Sequence, residues 1–329
     1  MASFDFTRRK ALLAGAALLA SPAILRAGGV RLPRLVLQTP GSGPGILMAH
    51  ARALGLFAPI ADEVDLSIWT TGDEMRAGLV SGSVPVAVVP TQAAASLHNR
   101  GFGIKLVATL TEGHCGLVAR GMEGCTIPDL RGKSVVVPAF NDFTGHLMRL
   151  ALAHHGVGLD ALTLIPATTQ MEAAQVLLSG RADVALLAEP GATAALMRAR
   201  ADGQDLHRGV QMRDELGLVT GLRPSLPQAA LAMRADFAAE YPWLAGALTA
   251  ALTEAAEDLN AKPDQAAENA APFLERAAPM LAQAIPFANI NVLSASVARP
   301  EIEALYLALI AADAGIIGGA LPDDGLYAL

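Results

Sequence analysis

One pattern of polar and apolar positions occurs twice in this chain. "SGSVPVAVVPTQ" begins at Ser81, and "SGRADVALLAEP" begins at Ser179, 98 residues later. Each runs Ser-Gly, three variable residues, Val-Ala and two branched aliphatics, then breaks into a polar turn that contains proline. The apolar cores, Val86–Val89 and Val184–Leu187, carry no alternation. That is the pattern of strands buried on both faces, as in parallel sheets.

The flanking segments repeat as well. "RLVLQTPGSGPGILMAHARALGL" predicts a strand at Leu35–Thr39, a Gly-rich turn and a helix. "KSVVVPAFNDFTGHLMRLALAHHGV" predicts a strand at Ser134–Val137, a polar turn at Pro138–Thr144 and a helix to His155. "VDLSIWTTGDEMRAGLVSG" and "LTLIPATTQMEAAQVLLSG" each predict a strand and then a helix, ended by Gly82 or Gly180 in a left-handed cap. Each half is therefore a βαβαβ unit with its polar turns at the carboxyl ends of the strands, where open α/β sheets bind ligands.

The connections give the rest of the plan. "CGLVAR" (Cys115–Arg120) reads as a strand leaving the first unit. "AALAMRADF" (Ala229–Phe237) reads as a returning strand that ends at an Asp236 helix cap. The remainder is Ala-rich helix broken at Pro242, Pro263, Pro272 and Pro279, and it packs most simply on the first lobe. Residues 33–120 with 229–329 are expected to form lobe 1, and 133–215 lobe 2. Residues 121–132 and 216–228 are expected to cross between them. Two crossings make a hinge over a cleft.

Composition narrows the function. The chain is 53% hydrophobic and 17% charged, enough for large cores. Aromatics are 4% and the net charge is −7, with no basic cluster past the N-terminus. Both argue against a nucleic-acid partner. "TRRKALLAGAALLASPAILRAGG" has a basic start at Arg8, Arg9 and Lys10, a short apolar run and a small-residue site near Ala27. Residues 1–27 thus read as an export signal. Arg8-Arg9 is twin-arginine-like, the alternative being an ordinary Sec signal. The mature chain, at −10, is expected in the periplasm. Cys115 and Cys125 either form a disulfide there or sit apart at two ends of one extended segment.

The succession "SGSVPVAVVPTQAAASLHNRG", "LVATLTEGHCGLVARG", "IPDLRGKSVVVP", "LLSGRADVALLAEP" and "AALAMRADFAAEYPWLAGAL" resembles the nitrate/sulfonate/taurine-type solute-binding proteins of ABC importers over residues 34–275. That broad family also includes binders of thiamine pyrimidine precursors. The resemblance implies a two-lobe type II periplasmic-binding fold, a small-molecule ligand, an ABC permease as partner, contact with the membrane only through that permease, and a monomer. It implies no cofactor and no metal.

The strand-end turns supply the candidate ligand contacts: Ser42, Asp73 and Thr91 in the first lobe, Asn141, Thr144 and Glu189 in the second, and His114 at the hinge. Thr91 and Glu189 are equivalent under the 98-residue repeat. Ser42, Asp73 and Thr144 serve equally as helix caps, and Glu189 serves equally as a turn residue. Adjacent His114 and Cys115 point to opposite strand faces, which argues against a shared metal site. His146, His154 and His155 fall on a helix whose outer face is expected to be solvated. Trp69 and Phe143 either flank a planar ligand or close the core. Glu112, Asp73, Asp142 and Glu189 give these turns an acidic sign with no lysine, compatible with a neutral or partly cationic solute.

Two other functions fit the fold. One is an enzyme, as in relatives that make a thiamine pyrimidine or process menaquinone precursors. The export signal and two scattered cysteines argue against both, and no nucleophile elbow, zinc spacing or phosphate loop occurs. The other is a sensor that signals through a membrane receptor.

Overall fold

The computed structural model describes residues 31–327; the expected export signal lies outside that range. The chain first lays down β1 (Leu32–Pro40), α1 (Gly43–Ala53), β2 (Ala61–Trp69), α2 (Gly72–Ser81), β3 (Val86–Pro90), α3 (Thr91–Asn99) and β4 (Ile104–Thr111). It continues through β5 (Cys115–Arg120), β6 (Ser134–Pro138), α4 (Phe143–His154), β7 (Thr163–Ala167), α5 (Gln170–Leu178), β8 (Val184–Ala188), α6 (Gly191–Ala201), β9 (Leu206–Gln211) and α7 (Met212–Thr220). It returns with β10 (Ala229–Arg234), α8 (Ala235–Glu240), α9 (Leu244–Ala261), α10 (Pro263–Leu274), α11 (Ala278–Ala288), β11 (Ile290–Ser294) and α12 (Ala295–Asp313).

Two sheets result, with strand orders β11-β4-β10-β3-β1-β2 and β7-β6-β8-β5-β9. The repeat is visible in their register. Leu37 pairs with Val86 in the first sheet, and Val135 pairs with Val184 in the second, both partners advanced by 98 residues. The Ser-Gly punctuation works as expected, since Gly82 and Gly180 both take positive φ. The helix starts repeat too. Thr71 Oγ1 accepts from Glu74 N while Glu74 accepts from Thr70 N. Thr169, Glu172 and Thr168 make the same box one repeat later.

Three expectations need correction. Cys115–Arg120 does not close the first unit: β5 pairs antiparallel with β8 and β9 in the second sheet. The first crossing is therefore Glu112–His114, not 121–132, and the second is 221–228, after α7. In return, β10 enters the first sheet between β3 and β4. Each sheet thus takes an interior antiparallel strand from chain arriving from the other lobe. A buried apolar strand satisfies either sheet, and pairing decides which one it joins. Secondly, Asp236 is not the cap of α8. It lies in the first turn, where its carboxylate binds Arg234 and the Phe237 N–H. Thirdly, His146 is buried and His155 bonds the buried Glu215, so only His154 faces solvent as expected. Of the two arrangements open to Cys115 and Cys125, the structure shows separate, buried, free thiols. Phe143 closes the core.

The C-terminal helices pack on the first lobe, with α9 and α10 against α1. They also reach the second lobe: α11 touches α6, and α12 touches α4 and α7. Tyr306 of α12 is wholly buried and donates to the Thr91 carbonyl. Among the described residues no helix is long and apolar enough to cross a membrane.

Candidate functional site

The carboxyl edges of the two sheets face one another across the crossing, and His114 sits between them. Two small, separate cavities lie there, and His114 lines both. The first-lobe cavity, about 90 Å³, is walled by Pro40, Ser42, Trp69, Val88–Pro90, Gln228 and Ala229. The second-lobe cavity, about 130 Å³, is walled by residues 115–118, Glu189, Ala192, Arg208, Gly209 and Gln211, with Phe287 contributed by α11.

Local chemistry places these groups. Gly45 and Gly145 begin the helices after β1 and β6. A Cβ on either would strike the carbonyl oxygen of Pro40 or Phe140, so only glycine lets the helix start so close to its strand end. Ser42 is at the start of α1, but its hydroxyl makes no capping bond. Trp69 donates its indole N–H to the Val88 carbonyl at 2.8 Å, which fixes the ring at the cavity wall.

Glu189 is 3% exposed. Its carboxylate binds Arg208 and accepts from both the N–H and the hydroxyl of Thr193, so it occupies the N-terminal end of α6. Arg208 also donates to Thr193 Oγ1 at 2.6 Å. Its guanidinium lies over the Phe287 ring.

Burial alone lowers the pKa of His114 to about 4, so the imidazole is neutral at physiological pH. Its Nδ1 has no hydrogen-bond partner. The neighbouring Cys115 thiol is pushed up to about 12, chiefly by burial. Gln211 spends its amide oxygen on Asn289, and Gln228 spends its own on Cys115.

The crossing is tied by a polar network. Asn289, in the left-handed region at φ 47°, donates to the carbonyl of Gly113 and to Gln211, and accepts from Arg213. Glu112 binds Arg223, Arg213 and Asn291, and Arg223 also holds Glu301. Desolvation raises the Glu112 pKa, but the bonds from Arg223 and Asn291 and the two positive charges outweigh it, leaving it below the usual range.

Of the seven residues singled out in the sequence, Ser42, His114 and Glu189 line the central cavities. Asn141 lies on an open trough of about 520 Å³ outside them. Thr91 does not reach the cavities: it is fully buried and donates its hydroxyl to the Pro227 carbonyl at 2.7 Å. Asp73 is exposed and pairs with Arg76. Thr144 donates to the Pro138 carbonyl. Of the four acidic residues expected in the cleft, Glu112, Glu189 and Asp73 each hold an arginine, whereas Asp142 caps α4 without a cation partner. Arg208, Gln211 and Phe287 were missed, since they lie outside the repeated βαβαβ units. Among the described residues no cluster suited to a metal ion occurs.

The architecture is that of solved binding proteins. An ABC transporter protein from Parabacteroides distasonis superposes with a TM-score of 0.76 at 21% identity, over 90% of this chain and 99% of that one. The periplasmic aliphatic sulphonate binding protein SsuA from Escherichia coli gives 0.71 at 15%, over 90% and 92%. The periplasmic nitrate-binding protein NrtA from Synechocystis gives 0.59 at 15%, over 76% and 69%. These likenesses establish the two-lobe periplasmic-binding fold. No curated protein matches the chain. The family profile described as NMT1/THI5 like matches residues 47–266, two thirds of the sequence, and the chain belongs to that family.

Proposed function

We propose that this protein is a periplasmic solute receptor that encloses a small molecule between its lobes and delivers it to the permease of an ABC importer, acting as a monomer. The observation that carries the reading is the pair of cavities that share His114 in their walls, lined by strand ends of both lobes and by Phe287 of α11. A solute there touches both lobes, so it stabilises the form in which they meet by its differential affinity alone. Closure is a hinge motion about Glu112–His114 and residues 221–228. Cavities of about 130 and 90 Å³ support a small solute, below the ~300 Å³ of ordinary drug-sized sites. Ser42, His114 and Glu189 are its contacts, with Gln211 and Gln228.

Binding suits the site better than catalysis. A histidine with a pKa near 4 is a weak base at neutral pH, and a thiol near 12 is no thiolate. The basic, apolar, small-residue order of residues 1–27 supports export.

The test is a thermal-shift screen of small solutes on ligand-stripped, refolded protein, followed by small-angle scattering with each hit. A solute that raises the melting temperature and reduces the radius is expected. If no solute stabilises the protein, or a bound solute leaves the radius unchanged, the reading fails.

A further inference from the structure

Two passages of chain join the lobes, Glu112–His114 and residues 221–228, and a third segment is fastened to the first of them. The Glu112 N–H donates to the carbonyl of Asn289, between α11 and β11, and the Asn289 side chain donates to the Gly113 carbonyl. The Leu226 N–H donates to the Glu112 carbonyl, so the two passages are tied to each other as well.

One side chain of the second lobe reaches all three segments. Arg213, in the first turn of α7, donates from Nη1 to Asn289 Oδ1 at 2.8 Å and from Nη2 to the Pro224 carbonyl at 2.9 Å. Its Nη2 also lies 3.4 Å from the Glu112 carboxylate. Helix α7 packs on α4, β5 and β9 of its own lobe, so the guanidinium is carried with that lobe. The stem of Arg213 is held close to the first passage by Gly113, which has φ 104°. A Cβ on Gly113 would lie 2.8 Å from Leu226 Cβ and 3.2 Å from Arg213 Cβ. Only glycine lets the first passage run between the second passage and Arg213.

The guanidinium is a rigid planar fork, with its N–H directions fixed relative to one another. It satisfies Asn289, Pro224 and Glu112 together at one relative placement of the segments that carry them. Rotation of the lobes moves Arg213 with the second and Asn289 with the first, and so strains or breaks at least one bond. Arg213 lines neither cavity. Glu112 keeps Arg223 and Asn291 when Arg213 is removed, so its carboxylate is not left unpaired.

We propose that Arg213 is a hinge brace that sets the balance between joined and separated lobes from outside the binding cavities. A solute adds its own differential affinity to that balance, so the brace sets how far a given solute closes the protein. That consequence rests on the receptor reading, whereas the brace itself does not.

The experiment attaches spin labels at Asp73→Cys and Met171→Cys and measures the distance between them by double electron–electron resonance, without solute. Both positions are exposed, and they are equivalent under the 98-residue repeat, in the first turns of α2 and α5 on opposite lobes. Cys115 and Cys125 are buried and burial pushes their thiols up, to about 12 and about 11, so the labels go to the introduced thiols. The labelled protein is compared with Arg213→Met, which keeps the stem and removes the fork, and with Arg213→Lys, which keeps the charge alone. Arg213→Met is expected to shift the ratio of long to short distances by about tenfold or more, with Arg213→Lys between it and the wild type. Melting curves establish that each variant is folded. A folded Arg213→Met whose distances match the wild type overturns the proposal. If Arg213→Met does not fold, Asn289→Gly decides, because it keeps the positive φ and removes one acceptor. It is expected to lengthen the distances, and unchanged distances there overturn the proposal equally. A solute screen without any hit would sink the receptor reading and leave these distances standing.

Discussion

The guanidinium of Arg208, on the second lobe, lies 3.6 Å from the centre of the Phe287 ring, which belongs to the first. The contact crosses the cleft at the wall of the larger cavity. Its neighbour Asn289 crosses too, through Gln211 and Arg213. The end of α11 thus bridges to the second lobe beside the proposed binding site.

Removing the ring should loosen that bridge. A cation–π contact at a partly desolvated site contributes about 1–2 kcal/mol. Phe287→Ala is expected to favour separated lobes by about tenfold, since ~1.4 kcal/mol is one decade. Scattering from ligand-free protein should then give a larger radius than the wild type. Equal radii would show that the ring does not hold the lobes together.

His114 should make stability fall in mild acid. Its folded pKa is near 4, below the unfolded value of 6.5, because burial penalises the imidazolium. The unfolded chain therefore binds the extra proton first. Stability is complete above pH ~6.5 and is lost as the pH drops toward 4, by about 3 kcal/mol for this group. His50 works in the same direction: desolvation lowers its pKa against the opposing pull of Asp258. Melting curves between pH 7 and pH 4 should show the loss in the wild type and a shallower loss in His114→Gln. Identical slopes would mean that His114 is not neutral in the fold.

The repeated helix starts should fail alike. Gly45→Ala and Gly145→Ala each push a methyl into a backbone carbonyl that cannot yield without moving its strand end. Each is expected to cost about 1–3 kcal/mol. Chemical denaturation would reveal it, and a neutral effect at either site would show that the turn relaxes freely.

Thr91→Val separates support from contact. The change keeps the volume but strands the Pro227 carbonyl, costing about 1–2 kcal/mol of stability. Affinity for a solute found in the screen should be unchanged when measured by calorimetry well below the melting temperature. Weakened binding at normal stability would return Thr91 to the site.

The sequence by itself determined the two units. Their strands, Ser-Gly caps and capping boxes are set by neighbours within a few residues, so the pattern repeats visibly at 98 residues and the register of Leu37 and Val135 repeats with it. It also placed Ser42 and Glu189 at strand ends, because a βαβ unit puts its turns at one edge, and His114 at the crossing between the units. Tertiary structure decided what lies across from them. An apolar strand such as Cys115–Arg120 records that it is buried, not which sheet it joins. The charge of the cleft depends on pairs such as Glu189 with Arg208 and Glu112 with Arg223, and Phe287 arrives from the C-terminal helices. Such partners are chosen by proximity in the folded chain, where low dielectric makes an unpaired charge costly, and no local pattern encodes that choice.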